Sequence, residues 1–386
     1  MSVTETEIQG ICEAGYEPVR DAFVENFAER NEIGASVAVV AHGEPVVNLW
    51  AGWADTARTR LWQEDTLTNV WSTTKPMTAL CAHLLVDRIG LDMDAAVASY
   101  WPEFAAGGKG DIPLRWVMSH RSGLSGLTVP ITAADLEDWE KITTLLAAQE
   151  PLWEPGTVSG YHAVTFGFLV GEVVRRVTGE HLGRFFASEI AGLLGADFEI
   201  GLAEGDLERC SEMQGVRPTD EELAARGEAN ASAHPAALAA LANPTLSGDE
   251  ANAPGWRMAE IPAANGHGTA LALATIFGSL VDGSERLICE DTVRAASTGQ
   301  GRCTDLVLGI PLEFGLGFGL SGPEHHYGPN PIAFGHDGSG GSAVWADLDA
   351  GVAGAYVMNR MGMDLLDDPR KMALVDGLYR SLGQAG

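Results

Sequence analysis

Apolar side chains near the start of the chain follow first a helical and then a strand spacing. Large apolar residues recur every four positions within residues 18–28, a pattern that predicts an amphipathic helix. Two β-rich runs follow at residues 36–41 and 46–50, and the turn-forming sequence His42-Gly43-Glu44-Pro45 separates them. This stretch therefore predicts a helix followed by a β-hairpin.

The end of the chain carries a similar pattern. β-rich runs at residues 342–346 and 352–358, joined by a short Asp/Gly turn, predict a second hairpin. Asp368 then predicts the N-cap of a last helix, because Pro369 suits the first helical position and an apolar face continues to Leu382. Since both ends combine a helix with two strands, we expect them to share one antiparallel sheet.

Between these ends the pattern is helical. Apolar residues at i, i+3, i+4 and i+7 run through residues 77–85, and further helical stretches cover residues 168–177, 221–241 and 269–280. We predict an α+β fold: an antiparallel sheet flanked by N- and C-terminal helices, with an inserted all-helical lobe. The chain would form a single unit, 1–386, with the α/β lobe at residues 1–71 and 285–386 and the helical lobe at residues 72–284.

The composition fits a compact globular protein, with 46% hydrophobic and 20% charged residues among 386. Acidic residues outnumber basic ones by 53 to 24, and the formal charge of −29 would repel nucleic acid phosphates and anionic membranes. We therefore expect a small-molecule substrate and neither a nucleic acid nor a membrane partner.

The sequence also indicates the compartment and the absence of a metal. The N-terminal segment has no basic patch followed by an apolar run, and no stretch has the length and hydrophobicity of a membrane span. The five cysteines are widely spaced without a CxxC pair, which argues against a disulfide framework or a zinc site. His325 and His326 are adjacent and cannot easily bind one metal, so we expect loop histidines and no metal. The missing export signal and the cysteine pattern lead us to expect a cytoplasmic location. Homo-oligomerisation stays open.

The first candidate for chemistry is the S-x-x-K spacing of Ser72 and Lys75, at the start of the first central helix. Residues at i and i+3 share one helix face, and Pro76 fits the first turn. A serine hydroxyl needs a nearby base, and a partly buried lysine at the positive end of a helix can be unprotonated. The alternative is a capping serine beside a solvated lysine.

The second candidate is Tyr161, which falls just before a predicted helix. As a phenolate stabilised by cations such as Lys75, Tyr161 could accept the serine proton and return it to the leaving group. The alternative is a half-buried tyrosine with a hydrogen-bonded hydroxyl.

The third candidate is the Gly-rich segment His336-Asp337-Gly338-Ser339, which precedes a predicted strand. Glycines allow the backbone to approach a substrate, and an unpaired N–H on a strand edge can face an oxyanion. The alternative is a bulge or tight turn beside the hairpin.

These three elements, in this order, resemble the class C β-lactamase and penicillin-binding-protein superfamily, and most closely its family VIII carboxylesterases. Segments such as LWAGWAD, VMSHRSGLSGL and PLWEPGTVSGYHAVTFG extend the resemblance over residues 36–361. The resemblance implies a β-lactamase/transpeptidase-like fold, a cleft between two lobes, and no metal or organic cofactor.

The resemblance also implies a role for each matching residue. Ser72 would be the acylated serine, Lys75 its lysine partner, and Tyr161 the tyrosine of the Tyr-x-Asn motif. His336-Asp337-Gly338 stands in place of Lys-Thr-Gly, and the backbone N–H groups of Ser72 and Ser339 would form the oxyanion hole.

Two departures favour an ester over a β-lactam. Ala163 replaces the asparagine whose amide would bind the lactam side chain. His336 replaces a lysine that would pair with the lactam carboxylate, and a histidine with a pKa of about 6.5 is mostly neutral at pH 7. We therefore expect an esterase for short acyl chains, whose activity follows the titration of His336.

Other functions on the same fold stay open at this point. They are a β-lactamase, a D-amino-acid peptidase or amidase, and an acyltransferase. A catalytically silent binding protein is the non-enzyme alternative.

Overall fold

The computed structural model describes residues 7–383, apart from the side chains of residues 224–226 and 229. The expectation about an export signal concerns largely residues 1–6, which lie outside the described residues. The strands are β1 (Gln9–Cys12), β2 (Gly34–Ala41), β3 (Glu44–Gly52), β4 (Thr68–Asn69), β5 (Phe198–Ile200), β6 (Gly266–Gly268), β7 (Cys303–Thr304), β8 (Pro311–Leu312), β9 (Gly319–Leu320), β10 (Phe334–Asp337), β11 (Ala343–Asp347) and β12 (Val352–Met358).

The α-helices are α1 (Glu17–Glu29), α2 (Thr74–Ile89), α3 (Val97–Tyr100), α4 (Leu114–Met118), α5 (Trp139–Ala148), α6 (Thr165–Thr178), α7 (Leu182–Phe186), α8 (Gly192–Leu194), α9 (Asp220–Ser232), α10 (Pro235–Leu241), α11 (Pro254–Met258), α12 (Ala270–Gly278), α13 (Glu290–Ala296) and α14 (Pro369–Ser381). A π-helical turn, Ala187–Ala191, joins α7 to α8. Short 3-10 turns are Trp71–Thr73, Pro102–Gly108, Ala133–Glu137, Glu204–Arg209 and Asp249–Asn252.

The main sheet unites the two ends of the chain. Its seven strands lie in the order β1-β3-β2-β12-β11-β10-β9. The central pair is β2 and β12, which run antiparallel over seven residue pairs from Val352↔Ala41 to Met358↔Ala35. The predicted shared antiparallel sheet is therefore confirmed.

Both predicted hairpins are present in this sheet. The first turns over His42 and Gly43, whose φ angles of 50° and 84° are left-handed. This two-residue turn is shorter than the four turn-forming residues suggest, because β3 already begins at Glu44. The second hairpin joins β11 to β12 across an Asp/Gly turn, as the pattern predicts.

The helices from the two chain ends pack on each other. In α14, Gly377 has no room for a Cβ atom, which would press against the backbone of Pro18 and Val19 in α1. Helix α12 packs against β2, where Gly278 faces Val40. Although α12 lies inside the helical lobe predicted from the sequence, it covers the sheet of the α/β lobe.

The inserted lobe is helical except for a small sheet in the order β4-β6-β5. Strands β5 and β6 have three residues each, too few to reveal a period-two pattern in the sequence. This sheet supports the entry to α2, because Val70 N donates to Gly266 O at 2.9 Å.

Within residues 7–383, no helix is long and apolar enough to span a membrane.

Candidate active site

Ser72 lies where the small sheet leads into α2, within the 3-10 turn Trp71–Thr73. Trp71 has a left-handed φ of 48°, a strained geometry for a bulky residue that its surroundings must hold. Its ring packs on Trp256 with 5.4 Å between centroids, and its carbonyl accepts a hydrogen bond from Thr74 Oγ1 at 2.6 Å. The sharp turn leaves the side chain of Ser72 half-buried on the wall of a cleft.

Lys75 lies in the first turn of α2 and is buried. Its Nζ lies 2.8 Å from Ser72 Oγ, 2.7 Å from Ala163 O and 3.0 Å from Ala263 O. These partners carry no charge, and burial holds the pKa of Lys75 well below its usual value. Carbonyl oxygens only accept hydrogen bonds, so they take the two N–H donors of the neutral amine and leave its lone pair to Ser72. Lys75 can therefore take the Ser72 proton.

Ala163 contributes to this arrangement through its backbone. Its carbonyl orients Lys75, whereas its methyl side chain has no amide to offer a ligand. Ala263, the second carbonyl partner, lies in no motif that the sequence analysis recognised.

Tyr161 precedes α6 and approaches the same pair, with its ring centroid 4.8 Å from Lys75 Nζ. Burial raises the pKa of Tyr161; the hydrogen bond with Ser72 opposes this shift, and the charges of Asp305 and Asp337 add to it. Tyr161 is therefore a neutral phenol in the resting site.

The phenolate form considered in the sequence analysis is therefore not the resting form of Tyr161. Burial penalises the charged form of both groups, which raises the pKa of the phenol and lowers the pKa of the amine. The resting pair consists of two neutral groups.

Asp305 holds the Tyr161 loop, and the sequence analysis missed it. Its buried carboxylate accepts hydrogen bonds from Tyr161 N at 3.1 Å and Ser159 Oγ at 2.7 Å. The N–H groups of Val307 and Leu308 also donate to it, at 2.9 and 3.0 Å. These bonds join the loop of the tyrosine to the segment that lines the cleft. Asp305 lies 144 residues from Tyr161 in the sequence, so no local pattern marks it.

The third predicted element ends β10 with His336 and Asp337 and continues into a turn at Gly338. A side chain at Gly338 would collide with Ser342 Oγ and with the carbonyl oxygen of Val70. The motif is thus packed directly against the residue that leads into the nucleophile turn.

Ser339 and Ser72 line the same cleft. This is the placement that a shared oxyanion hole requires. The roles of their two N–H groups stay a prediction.

His336 lies in the cleft wall beside Tyr161, with 6.1 Å between the ring centroids. Burial lowers the pKa of His336 to about 3. The predicted neutrality at pH 7 is confirmed, but the expected titration near neutral pH is wrong. The side chain is too well buried to accept a proton there.

Asp337 is part of a buried ionic cluster. Lys371 Nζ lies 3.1 Å from Asp337 Oδ1, and His325 Nε2 lies 3.1 Å from Asp337 Oδ2. Asp367 Oδ1 completes the cluster at 2.8 Å from Lys371 Nζ and 2.9 Å from His325 Nδ1. Burial alone would lower the pKa of His325, but the two aspartates raise it. His325 lies in a loop, as expected, and it is also a buried partner of the third motif.

The cleft has a volume of about 580 Å³, counted out to open solvent. Its polar lining comprises the predicted site residues Ser72, Tyr161, His336, Asp337 and Ser339, together with Glu313, His325 and Tyr327. The apolar lining comprises Leu241, Leu308, Leu312, Phe314, Leu320, Leu365 and Leu366. Among the described residues that line it, there is no lysine or arginine. The cleft therefore offers a largely apolar surface beside Ser72, without a lysine or arginine among its described lining residues.

Comparisons with known proteins agree with this geometry. The β-lactamase family profile matches residues 19–377. The esterase/β-lactamase LipL of Mycobacterium tuberculosis (strain ATCC 25618 / H37Rv) is 37% identical over 373 residues, which cover 91% of this chain and 83% of the relative.

Two solved structures are similar over nearly the whole chain. A family VIII carboxylesterase is 42% identical with a TM-score of 0.91, covering 97% of this chain and 100% of the other. A penicillin-binding protein homologue from Caulobacter crescentus is 40% identical with a TM-score of 0.89 and the same coverage. The chain therefore belongs to the β-lactamase family, with the β-lactamase/transpeptidase-like fold and a confirmed resemblance to a family VIII carboxylesterase.

Proposed function

We propose that this chain is a serine esterase that cleaves neutral carboxylic esters through an acyl-Ser72 intermediate. One observation carries the proposal: Nζ of the buried Lys75 lies 2.8 Å from Ser72 Oγ, where burial holds the pKa of the amine well below its usual value. The relatives named as esterases at 37% and 42% identity support the reaction class.

In acylation, Lys75 Nζ takes the Ser72 proton while Oγ attacks the ester carbonyl. The N–H groups of Ser72 and Ser339 stabilise the oxyanion. Tyr161 gives its proton to the leaving alcohol oxygen as the C–O bond breaks. The acyl-enzyme then holds an ammonium at Lys75 and a phenolate at Tyr161, two opposite charges that stabilise each other.

In deacylation, the Tyr161 phenolate takes a proton from the attacking water. Ser72 Oγ leaves the carbonyl carbon and takes its proton back from Lys75. Water and ester are thereby converted to acid and alcohol, and the resting pair of neutral groups is restored. The phenolate thus occurs only in the intermediate.

The cleft favours a neutral ester. His336 carries no charge at neutral pH, and the described lining has no lysine or arginine for a carboxylate. The ring of His325 is already paired with Asp337 and Asp367. Ala163 has no side-chain amide for a lactam side chain. We propose short acyl chains, because a short chain can be enclosed by the leucines and Phe314 beside Ser72.

β-Lactam hydrolysis is the second candidate. The name of the relative LipL gives both an esterase and a β-lactamase activity. The residues proposed here for acylation, namely the nucleophile Ser72 with Lys75 and Tyr161, would also be needed to open a β-lactam. We expect this activity to be weak, because lactam recognition is reduced by the cleft chemistry described above.

A panel of nitrophenyl esters of increasing chain length tests the proposal, run beside a chromogenic cephalosporin and a D-alanyl amide. We expect the short esters to be cleaved fastest. Faster turnover of the cephalosporin or the amide would contradict an esterase.

The nucleophile is tested with an organophosphonate that labels reactive serines. Ser72→Ala should abolish labelling and lower ester turnover by several orders of magnitude. Ser188→Ala, at an exposed serine, is the matched control and should keep both. Labelling retained in the Ser72 variant would place the nucleophile elsewhere.

A further inference from the structure

The ring of His336 is held in one tautomer. Its Nδ1 lies 2.7 Å from the carbonyl oxygen of Asp337. A carbonyl oxygen can only accept, so Nδ1 carries the hydrogen. Since the ring is neutral at working pH, Nε2 is left with a lone pair and no hydrogen. His336 therefore offers a hydrogen-bond acceptor of fixed position.

This acceptor has no partner among the residues that the structure describes. His336 is only 5% exposed and lies in the cleft wall beside Tyr161. A buried acceptor without a partner is unusual in a folded protein, because it has lost its water without replacement. Its location at the proposed site suggests that a ligand supplies the missing donor.

The rest of the cleft makes this acceptor selective. The described lining is mainly leucine and Phe314, which contribute no hydrogen bonds to a ligand. Ser72, Tyr161 and Ser339 are occupied by the reaction itself in the proposed mechanism. The other acceptors in the described lining are already engaged. Gly301 N donates to the Glu313 carboxylate at 3.1 Å, Asp337 is paired with Lys371 and His325, and the Tyr327 hydroxyl is hydrogen-bonded to Asp337.

We propose that Nε2 of His336 accepts a hydrogen bond from a free hydroxyl of the substrate, so that the preferred substrates are hydroxylated esters. The inference rests on the proposed esterase function and specifies its substrate class. The hydroxyl can belong to the acyl group, as in an ester of a hydroxy acid, or to the alcohol, as in a partly esterified polyol. Both sources present the same donor, an O–H close to the ester group.

The hydrolytic water is the competing donor. A water held by His336 would serve every ester equally, whereas a substrate hydroxyl serves only the esters that carry it. The hydrolytic water and a substrate hydroxyl can therefore be distinguished by the ratio of kcat/KM between an ester with the hydroxyl and a matched ester without it.

The experiment compares esters in which a methyl group replaces the hydroxyl. Methyl lactate is paired with methyl isobutyrate for the acyl side, and glycol monobutyrate with propyl butyrate for the alcohol side. The kcat/KM values are measured by pH-stat titration. We expect the hydroxyl to raise kcat/KM about three- to tenfold in at least one pair, the effect of one neutral hydrogen bond.

His336→Phe keeps a flat ring and removes the acceptor. In this variant the preference should fall to a ratio of about one or below, because a hydroxyl then meets an apolar wall. His326→Phe, at a partly exposed histidine that is not among the lining residues of the cleft, should keep the preference of the wild type.

Three outcomes overturn the inference. One is the absence of a hydroxyl preference in both pairs while the methyl members are hydrolysed, which leaves the esterase proposal intact. Another is a preference that persists in His336→Phe. The third is an equal loss of kcat on all four esters in His336→Phe, which would mean that the acceptor binds the hydrolytic water. If the wild type hydrolyses no ester at all, the proposed function itself fails.

Discussion

At the scale of single residues, the chemistry depends on how many protons Lys75 Nζ carries. With two hydrogens it satisfies the carbonyls of Ala163 and Ala263 and presents its lone pair to Ser72. With three hydrogens it has no lone pair, and Ser72 loses its base. The backbone of the inserted lobe thus selects the form of the amine that can react.

Lowering the pH should therefore remove activity. As the pH falls through the depressed pKa of Lys75, kcat/KM on a short neutral ester should fall with it, because the charged amine cannot accept a proton. The pH profile should keep this acid limb in His336→Phe, since His336 titrates at about 3. Disappearance of the limb in that variant would assign it to His336.

Substitutions of Lys75 and Tyr161 should also show that activity depends on a neutral amine beside Ser72. Lys75→Arg replaces the neutral amine by a guanidinium that stays charged and has no lone pair to accept a proton, and we expect kcat to fall by about a hundred- to ten-thousand-fold. Tyr161→Phe should be similarly damaging, and the double variant scarcely worse than either. Additive losses would mean that the two groups do not act as one unit.

At the scale of elements, the first turn of α14 braces the third motif. Lys371 Nζ pairs with the carboxylate of Asp337, and Arg370 Nη2 donates to Gly340 O at 2.5 Å. Two consecutive side chains thus hold both sides of the turn that carries Ser339. The last helix of the chain therefore stabilises the predicted oxyanion hole.

This bracing should weaken at alkaline pH through His325. The groups that face it are Asp337 in β10, Asp367 before α14, Lys371 in α14 and the Tyr327 ring, 4.7 Å away between centroids. Its folded pKa is raised above the unfolded value of about 6.5. The stabilisation is therefore complete below the unfolded pKa and is lost as pH rises through the folded pKa.

Urea midpoints measured from mildly acidic to alkaline pH check this sign. The wild type should lose stability with rising pH, and His325→Gln should lack that component. His326→Gln is the matched control and should follow the wild type. A wild-type midpoint that rises over the same range would contradict a protonated His325.

The sequence allowed both hairpins, the main helices and the candidate trio of Ser72, Lys75 and Tyr161 to be predicted, because their signals are local. Ser72 and Lys75 are three residues apart, and each hairpin and helix has its own period. The partners of these groups could not be predicted in the same way. Asp305, Lys371 and Ala263 reach the site only through the fold, from more than one hundred residues away or from the opposite chain end. Buried pKa shifts likewise depend on packing that a sequence pattern does not contain.

At the scale of the whole molecule, the net negative charge and the lining of the cleft both disfavour an anionic substrate. The chain carries a formal charge of −29, and its described cleft lining has no lysine or arginine to reverse the field locally. An anionic ester should therefore meet repulsion on approach as well as a lack of partners on arrival. The first effect is long-ranged and the second is not, so salt can separate them.

The comparison uses methyl hydrogen succinate, which is anionic, and methyl butyrate, which is neutral. At low salt, kcat/KM should be much smaller for the anionic ester, and the gap should narrow as salt is added. The screening length falls from about 30 Å at 0.01 M to about 10 Å at 0.1 M, so the field outside the cleft fades over this range. Methyl butyrate should change little and reports any direct effect of salt on the enzyme. A gap that does not respond to salt would assign the discrimination to contacts inside the cleft, where Ala163 and neutral His336 would then be sufficient to exclude the anion.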